Sequence, residues 1–307
     1  MEAIIEKVKS VIDSGVLTQR QLAKQAGIGE AVLSALLKGN YKGDIKKNIS
    51  ALTVWYEQYT KQQEQAARQL KEPGYLPLPT SEKIMQLMAM AQNLGRWSMA
   101  YEGSGVGKTF SALEYQRNHR NVWIVTVCSD FGRTSSYILD ELAEQLGLKL
   151  GSVTLARKKK AIQEALDGTQ GLIVIDEAQY LSDNTLNGLR ILSEGRVGVM
   201  LLGNDVVRTR MNATRSEINM RPVWSRIIHP ERIEKSSGED IAGLLDGWGI
   251  HDASIKAYAL KMVPKTNGQL RTLGDMIKLA GFIADKDTEA LSLRHIQSAH
   301  HYLMETV

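Results

Sequence analysis

Short, almost continuously apolar runs alternate with helix-spaced apolar positions in the middle of the chain. Such runs are typical of strands that are buried on both faces, as in a parallel sheet. Five strands of this kind are predicted: Trp97–Tyr101, Val122–Val127, Leu172–Ile175, Val199–Leu202 and Ile227–His229. Before and after this region the apolar positions follow only helical periods. The pattern therefore predicts an α/β fold, with a parallel five-stranded sheet and helical units on either side of it in the chain.

Breaks in the pattern divide the chain into four predicted segments. Residues 1–62 are predicted to be all-helical, and residues 81–233 to form the α/β core. Between them, residues 63–80 begin as a polar helical extension, break at Glu72-Pro73-Gly74 and continue as an extended linker. Residues 234–307 are predicted to form a C-terminal helical lid.

Residues 18–39 have the spacing of a helix-turn-helix. Thr18 is the expected N-cap of the first helix, and Gly27 is expected to make the turn. The residues expected to face inward are Leu22, Ala23, Ile28, Val32, Leu36 and Leu37.

The outer face of the second helix is a candidate DNA surface. A repressor-like docking would place its start in the major groove, with nearby lysines on the phosphates. The groove-facing candidates are Glu30, Ala31, Ser34, Ala35 and Lys38, and the phosphate-contacting candidates are Lys38, Lys42, Lys46 and Lys47. The groove-facing set is poor in Arg, Asn and Gln, the usual readers of bases, so sequence-specific recognition is not expected. The alternative is a helical hairpin that makes protein contacts.

A glycine-rich run between a predicted strand and a predicted helix has the pattern of a phosphate-binding loop. The residues expected to contact a nucleotide are Gly103, Ser104, Gly105, Val106, Gly107, Lys108, Thr109 and Phe110. In such a loop backbone N–H groups surround the phosphates, Lys108 reaches the β- and γ-phosphates, and Thr109 holds Mg²⁺. Glu102 stands where the pattern G-x-x-x-x-G-K-[ST] has its first glycine. A purely structural turn is the alternative.

A second motif follows the third predicted strand, where Asp176 and Glu177 come directly after four apolar residues. Asp176 would support the Mg²⁺ that Thr109 binds, and Glu177 would polarise a water. Taken alone, the acidic pair is also compatible with an ordinary strand end. Together the two motifs predict hydrolysis of a nucleoside triphosphate. A GTPase is disfavoured because no Asn-Lys-x-Asp motif follows a strand, and the acidic pair with a helical lid disfavours a metabolic kinase.

Three further polar residues are candidates for the same reaction. Asn204 follows the fourth strand and could orient the attacking water. Arg226 precedes the fifth strand and could reach the γ-phosphate of a neighbouring subunit, where it would stabilise transition-state charge. Arg271 opens a helix in the C-terminal unit and could fold over the phosphates, since a cation at a helix start is otherwise unfavourable. A strand-end turn and solvated arginines are the alternatives.

Positive charge is concentrated locally, although the whole chain has a net charge of only +4. The candidate DNA contacts in the core are Arg133, Arg157, Lys158, Lys159, Lys160 and Arg190. A solvated helix face is the alternative for such a run. Cys128 is the only cysteine, which excludes a disulfide within the chain, and no apolar run is long enough to cross a membrane. A cytoplasmic protein without a membrane partner is expected.

The order of these motifs resembles that of the AAA+ ATPases. With the helix-turn-helix and the stretch Gly168–Ala178, the chain closely resembles the phage Mu-type B transposition proteins over nearly its whole length. This resemblance implies ATP and Mg²⁺ as cofactors and binding of double-stranded DNA that is largely independent of sequence. It further implies a homo-oligomer, either a helical filament or a ring, that delivers target DNA to a transposase and stimulates it. A helicase loader and an ATP-switched helix-turn-helix transcription regulator are the alternatives.

Overall fold

The computed structural model describes residues 2–68, 70–129, 134–212 and 220–305. They fall into two compact units, one within residues 1–70 and 284–290 and the other within residues 71–283 and 291–307. The predicted DNA contact Arg133 lies outside the described residues. The four segment boundaries drawn from the sequence stay predictions.

Helices make up the first unit. They are α1 (Glu2–Asp13), α2 (Gln19–Gln25), α3 (Glu30–Leu37) and α4 (Ile45–Arg68). Thr18 caps α2 as expected, because its hydroxyl accepts a hydrogen bond from the Gln21 N–H and the Gln21 side chain accepts one from the Thr18 N–H. Leu33, which was not among the residues expected to face inward, is fully buried. Val32 and Leu37, which were expected to face inward, are half-buried.

The second unit contains the strands. They are β1 (Trp97–Tyr101), β2 (Val122–Thr126), β3 (Leu172–Asp176), β4 (Gly198–Leu202) and β5 (Ile227–Arg232). The helices up to β5 are α5 (Pro79–Leu94), α6 (Lys108–Asn118), α7 (Ser135–Gln145), α8 (Leu155–Leu166), α9 (Asp183–Ser193), α10 (Asp205–Asn212) and α11 (Arg221–Trp224). The later helices are α12 (Gly238–Gly247), α13 (Ala253–Met262), α14 (Gln269–Asp287) and α15 (Leu293–Glu305), and short 3₁₀ turns lie at Ala178–Tyr180 and Val263–Lys265.

The five strands form one parallel sheet in the order β2-β3-β4-β1-β5, which confirms the predicted fold class. The three central strands are buried along their whole length, as their apolar runs predicted. Strand β5 continues three residues beyond the predicted end, through Pro230 to Arg232. Proline is tolerated there because β5 is an edge strand, on which a missing N–H breaks no ladder between two neighbours.

Helices cover both faces of the sheet. On one face α7, α8 and α9 contribute Leu142, Ile162 and Leu189 to the larger apolar cluster. On the other face α5 and α6 contribute Met88 and Tyr115. Because all strands are parallel, the loops that follow β1, β3 and β4 emerge at the same edge of the sheet, which is where ligands bind in open α/β sheets.

The segment before α5 is extended, as predicted, but it is packed rather than solvated. We call residues 71–78 the strap. Leu76 lies against Gly247, and Leu78 lies against Gly243, both on α12. Immediately after the strap, the Thr80 N–H and hydroxyl both donate to the buried carboxylate of Asp240 on the same helix. The start of α5 is therefore fixed to the C-terminal helices.

Across the described ranges, none of the helices combines the length and apolar character that a membrane crossing requires.

Candidate nucleotide site

The loop between β1 and α6 follows a backbone path that needs glycine. Gly103, Gly105 and Gly107 have φ angles of 48°, 70° and 94°, in the left-handed region that side chains disfavour. A Cβ at Gly105 would also overlap the carbonyl oxygen of Gly268 at the start of α14. The glycines therefore let the loop turn tightly and let a second element approach it closely.

Lys108 lies at the first position of α6 and turns back over the loop. Its Nζ donates to the Gly103 carbonyl oxygen at 2.6 Å and to that of Glu102. Burial lowers the pKa of Lys108, and the nearby Arg271 lowers it further, against the carboxylates of Asp176 and Glu177, which raise it. The ammonium group is thus partly desolvated, with backbone oxygens as its hydrogen-bond acceptors.

Thr109 and Asp176 come together across the ends of α6 and β3. The Thr109 hydroxyl donates to Asp176 Oδ2 at 2.7 Å, and the Glu177 N–H donates to Asp176 Oδ1 at 3.0 Å. Asp176 is 3% exposed, and burial raises the pKa of its carboxyl group against these two hydrogen bonds. A hydroxyl and a buried carboxylate are hard oxygen donors that suit Mg²⁺, which usually keeps few protein ligands and completes its shell with phosphates and water.

The described residues contain no group of three or more His, Cys, Asp or Glu side chains that could hold a metal on their own. A metal at the Thr109–Asp176 pair would therefore take its other ligands from a bound nucleotide and water.

Glu177 and Asn204 follow neighbouring strands and share a partner. Glu177 has a left-handed φ of 56°, and its carboxylate accepts a hydrogen bond from Gln179 Nε2. The Asn204 N–H donates to Gln179 Oε1 at 3.2 Å, and Asn204 Oδ1 accepts from the Val206 N–H at 3.0 Å at the start of α10. Gln179 was not among the site residues predicted from the sequence. The only signal available there was a polar residue shortly after the acidic pair.

A cavity of about 450 Å³ lies between the loop, α6, α12, α14 and the strap. Its charged lining includes Lys108, Asp176 and Arg271. Its aromatic lining includes Tyr75 of the strap, whose ring stacks on Phe110 with 6.1 Å between centroids and 20° between planes. A cleft that combines phosphate-seeking groups with stacked aromatic rings has the chemistry of a nucleotide site.

The strap residues of this cavity were missed from the sequence. Tyr75, Leu76 and Leu78 stand among prolines and a glycine, which predicted a linker. The available signal was that a linker exposed to water has little reason to carry three large apolar side chains within four residues.

The structure brings Arg271 to the loop. Its backbone N–H donates to the Gly105 carbonyl oxygen at 3.3 Å, and its side chain lines the cavity. Arg271 stands in the first turn of α14, where the helix dipole disfavours a cation unless an anion is near.

Arg226 lies away from the other predicted catalytic residues. It precedes β5, and its carbonyl oxygen accepts from the Trp97 N–H at the start of β1, so it stands at the amino edge of the sheet. Its guanidinium group pairs with Glu194, and this hydrogen bond lowers the pKa of the Glu194 carboxyl group. Within one chain, therefore, Arg226 is at the edge opposite to the phosphate-binding loop.

Those candidate DNA contacts of the core that the structure describes lie on α8 and α9, and several have acidic neighbours. Lys158 pairs with Asp140, Lys160 Nζ lies 3.8 Å from Glu164 Oε1, and Arg190 Nη1 lies 3.2 Å from Glu194 Oε2. Arg157 is exposed, and Lys159 is half-buried. The surface of α8 is therefore less positive than its four consecutive basic residues imply.

In the first unit, the predicted DNA contacts Glu30, Lys38 and Lys42 are exposed, and Ser34 is half-buried on α3. These positions remain predictions, as do the core contacts.

Two protein-family models match this chain. Residues 103–211 match the model of the AAA domain, and residues 225–303 match the model of the C-terminal part of the Mu B transposition protein. Among solved structures, the fold is similar to the ORC2 protein of Aeropyrum pernix, with a TM-score of 0.59, 17% identity and coverage of 76% of this chain and 69% of that chain. It is also similar to Cdc6p of Pyrobaculum aerophilum, with a TM-score of 0.56, 18% identity and coverage of 74% and 68%.

Curated relatives extend over almost the whole chain. The Mu-like prophage FluMu DNA transposition protein B of Haemophilus influenzae is 33% identical over 272 residues, 88% of this chain and 93% of the relative. The ATP-dependent target DNA activator B of Escherichia phage Mu is 28% identical over 298 residues, 96% of this chain and 93% of the relative. With its parallel sheet, its glycine-rich loop and its Asp-Glu pair, this chain is an AAA+ ATPase and belongs to the family of Mu-type DNA transposition proteins B.

Proposed function

We propose that this chain binds duplex DNA largely without regard to sequence, assembles on it as a homo-oligomeric filament when ATP is bound, and presents that DNA to a transposase. The observation that carries the proposal is the convergence of Lys108, Thr109, Asp176 and Glu177 beside one cleft. The name ATP-dependent target DNA activator, which two relatives carry, supports the DNA part.

The nucleotide occupies the cleft with its triphosphate on the loop. Backbone N–H groups of residues 103–107 and the start of α6 face the phosphates, and Lys108 exchanges its two carbonyl acceptors for phosphate oxygens. Because burial lowers the pKa of Lys108 and raises that of Asp176, both groups gain from ligands of opposite charge. The base lies beside the stacked rings of Tyr75 and Phe110.

Thr109 and Asp176 hold Mg²⁺, which supplies neutralisation of phosphate charge when it is bound. Glu177 polarises the attacking water, and Asn204 orients it through Nδ2, since its Oδ1 is committed to the Val206 N–H. Arg271 contacts the phosphates from α14 and thereby couples the C-terminal helices to the nucleotide state.

Arg226 acts on the nucleotide of a neighbouring protomer. Its place at the amino edge of the sheet keeps it from the loop of its own chain and suits a contribution in trans. A guanidinium group supplied in this way stabilises the charge that develops on the transferred phosphoryl group. Hydrolysis would then require assembly and would lead to disassembly of the filament.

Duplex DNA lies along basic side chains that assembly brings into one row. In the core these are Arg133, Arg157, Lys158, Lys159, Lys160 and Arg190, and in the first unit they are Lys38 and Lys42, with Glu30 and Ser34 nearest the groove. Contacts of this type are made to phosphates and carry little sequence information. Removing one such cation should lower the slope of log affinity against log salt by about one unit.

Co-sedimentation with duplex DNA tests the function. Wild-type protein is expected to sediment with DNA in ATP and not in ADP or without nucleotide. Lys108→Ala should lose this binding, whereas Glu177→Gln should keep it because ATP stays bound and unhydrolysed. Equal sedimentation in all three conditions, or undiminished polymer growth by Lys108→Ala, would overturn the proposal. A single protected site in footprinting would indicate a transcription regulator instead.

A further inference from the structure

One side-chain amide, that of Gln179, joins the ends of two neighbouring strands. Its Nε2 donates to the carboxylate of Glu177, after β3, and its Oε1 accepts from the N–H of Asn204, after β4, at 3.2 Å. The amide is planar, so fixing the oxygen on Asn204 also fixes the direction of the nitrogen. Gln179 therefore links the Glu177 carboxylate to the backbone of Asn204.

The absence of a side chain at Gly203 leaves room for the Gln179 amide. Gln179 Oε1 would lie 2.8 Å from a Cβ placed on Gly203, closer than a real Cβ approaches a neighbour, so any larger residue there would displace the amide. Gln179 itself stands in the 3₁₀ turn Ala178–Tyr180, which the Tyr180 N–H closes onto the Glu177 carbonyl oxygen at 3.1 Å. The side chain that links Glu177 to Asn204 thus comes from a short backbone turn that is held by its own hydrogen bond.

The hydrogen-bonded contact lies beside the nucleotide cleft. A second cavity beside the nucleotide cleft is lined by Gln179, Gly203 and Asn204, and shares Ser104, Lys108 and Glu177 with the cleft. Glu177 also has a left-handed backbone conformation, so its side chain leaves the strand end in a direction that local geometry alone does not favour.

We propose that Gln179 is a positioning residue for ATP hydrolysis, which holds the Glu177 carboxylate in line with the attacking water and ties it to Asn204. The proposal rests on the role of Glu177 given above. Movement of Asn204 as it engages the attacking water is then transmitted to Glu177 through one side chain. No group on Gln179 exchanges a proton with substrate.

Two substitutions separate this role from a purely structural one. Gln179→Met keeps the approximate length and removes the hydrogen bonds to Glu177 and Asn204. Gln179→Glu keeps an oxygen for the Asn204 N–H but cannot donate to Glu177 and repels it. We expect both variants to lower kcat on the order of tenfold, as loss of alignment at a reacting group does, with KM for ATP within about twofold of wild type. If Gln179 only supports the backbone of Asn204, Gln179→Glu should keep the wild-type kcat. That result would show that the proposal is wrong.

A double-mutant cycle with Glu177→Gln supplies the second readout, in single-turnover hydrolysis. If Gln179 acts through Glu177, adding Gln179→Met to Glu177→Gln causes no further loss. A further tenfold loss would contradict the proposal. The thermal unfolding midpoint of each variant shows that it is folded. If wild type hydrolyses ATP and Glu177→Gln does so equally well, the assignment of Glu177 in the proposed function has failed, whatever the Gln179 variants do.

Discussion

Glu102 illustrates how one residue can depart from a motif and keep its geometry. Its φ angle of 71° is the left-handed conformation that the first glycine of the loop pattern adopts without strain. Its carboxylate pairs with Arg232 on β5, and this hydrogen bond lowers the pKa of Glu102. The ion pair thus helps to hold a conformation that the backbone of a glutamate disfavours.

Substitution of Glu102 separates the strain from the ion pair. Glu102→Ala keeps the strained backbone and loses the pair, whereas Glu102→Gly loses the pair and the strain together. We expect Glu102→Gly to have a free energy of unfolding about 1 kcal/mol above that of Glu102→Ala, the cost of a left-handed non-glycine residue. Chemical denaturation of both variants measures the difference, with Arg232→Ala, which also removes the pair with Glu234, as the control for the exposed ion pair. Equal stability of the two Glu102 variants would mean that the loop relaxes around the side chain.

The strap is the element that sequence reasoning described least well. Its extended conformation follows from local chemistry, since Pro73, Pro77 and Pro79 restrict the backbone around them. Its contacts do not, because Leu76 and Leu78 pack on α12, more than 160 positions further along the chain. The parallel sheet was predicted correctly because its signals lie within short windows, namely apolar runs and the polar residues that end them. The roles of the loop and of the acidic pair stay predictions.

Removal of the strap's aromatic ring tests its part in nucleotide binding. Tyr75→Ala should weaken ATP binding about 2- to 12-fold, the equivalent of one aromatic stack of about 0.5–1.5 kcal/mol. Tyr75→Phe keeps the ring and loses the hydroxyl contacts to Ser81 and Met85, so its affinity should match wild type. Titration with a fluorescent ATP analogue gives both values. Inorganic tripolyphosphate should bind all three proteins alike, and a parallel loss of its affinity in Tyr75→Ala would show that the ring acts on the loop rather than on the base.

At the scale of the whole molecule, the proposed catalytic residues are divided between two edges of one sheet. Lys108, Asp176 and Glu177 lie at the carboxyl edge, and Arg226 lies at the amino edge beside Glu194. No pattern in the sequence reveals which edge of a neighbouring protomer comes closest, because that depends on assembly rather than on the chain's own folding. The division predicts that a complete site forms only between copies.

Mixing two inactive variants tests this division. Arg226→Ala alone should lower ATP turnover on DNA on the order of a thousandfold, and Glu177→Gln alone should bind ATP but hydrolyse it only at a small residual rate. In a mixture, an Arg226→Ala protomer can receive Arg226 from a Glu177→Gln neighbour. With equal amounts of the two variants and random neighbours, turnover should therefore recover to roughly a quarter of the wild-type rate. The phosphate-release rate across a series of mixing ratios measures it. Mixtures no more active than their components would place Arg226 outside catalysis.

The strap also has a consequence for how this protein is divided into fragments. A cut just before Ser81, at the end of the predicted linker, would look harmless because it spares every strand and every residue of the glycine-rich loop. It would nevertheless remove Tyr75, Leu76 and Leu78, and with them one wall of the cleft and the apolar cover of α12. An ATPase fragment designed from motif positions alone would therefore lack part of the pocket for the base. A weak nucleotide affinity measured on such a fragment would result from the truncation and would not be a property of the full chain.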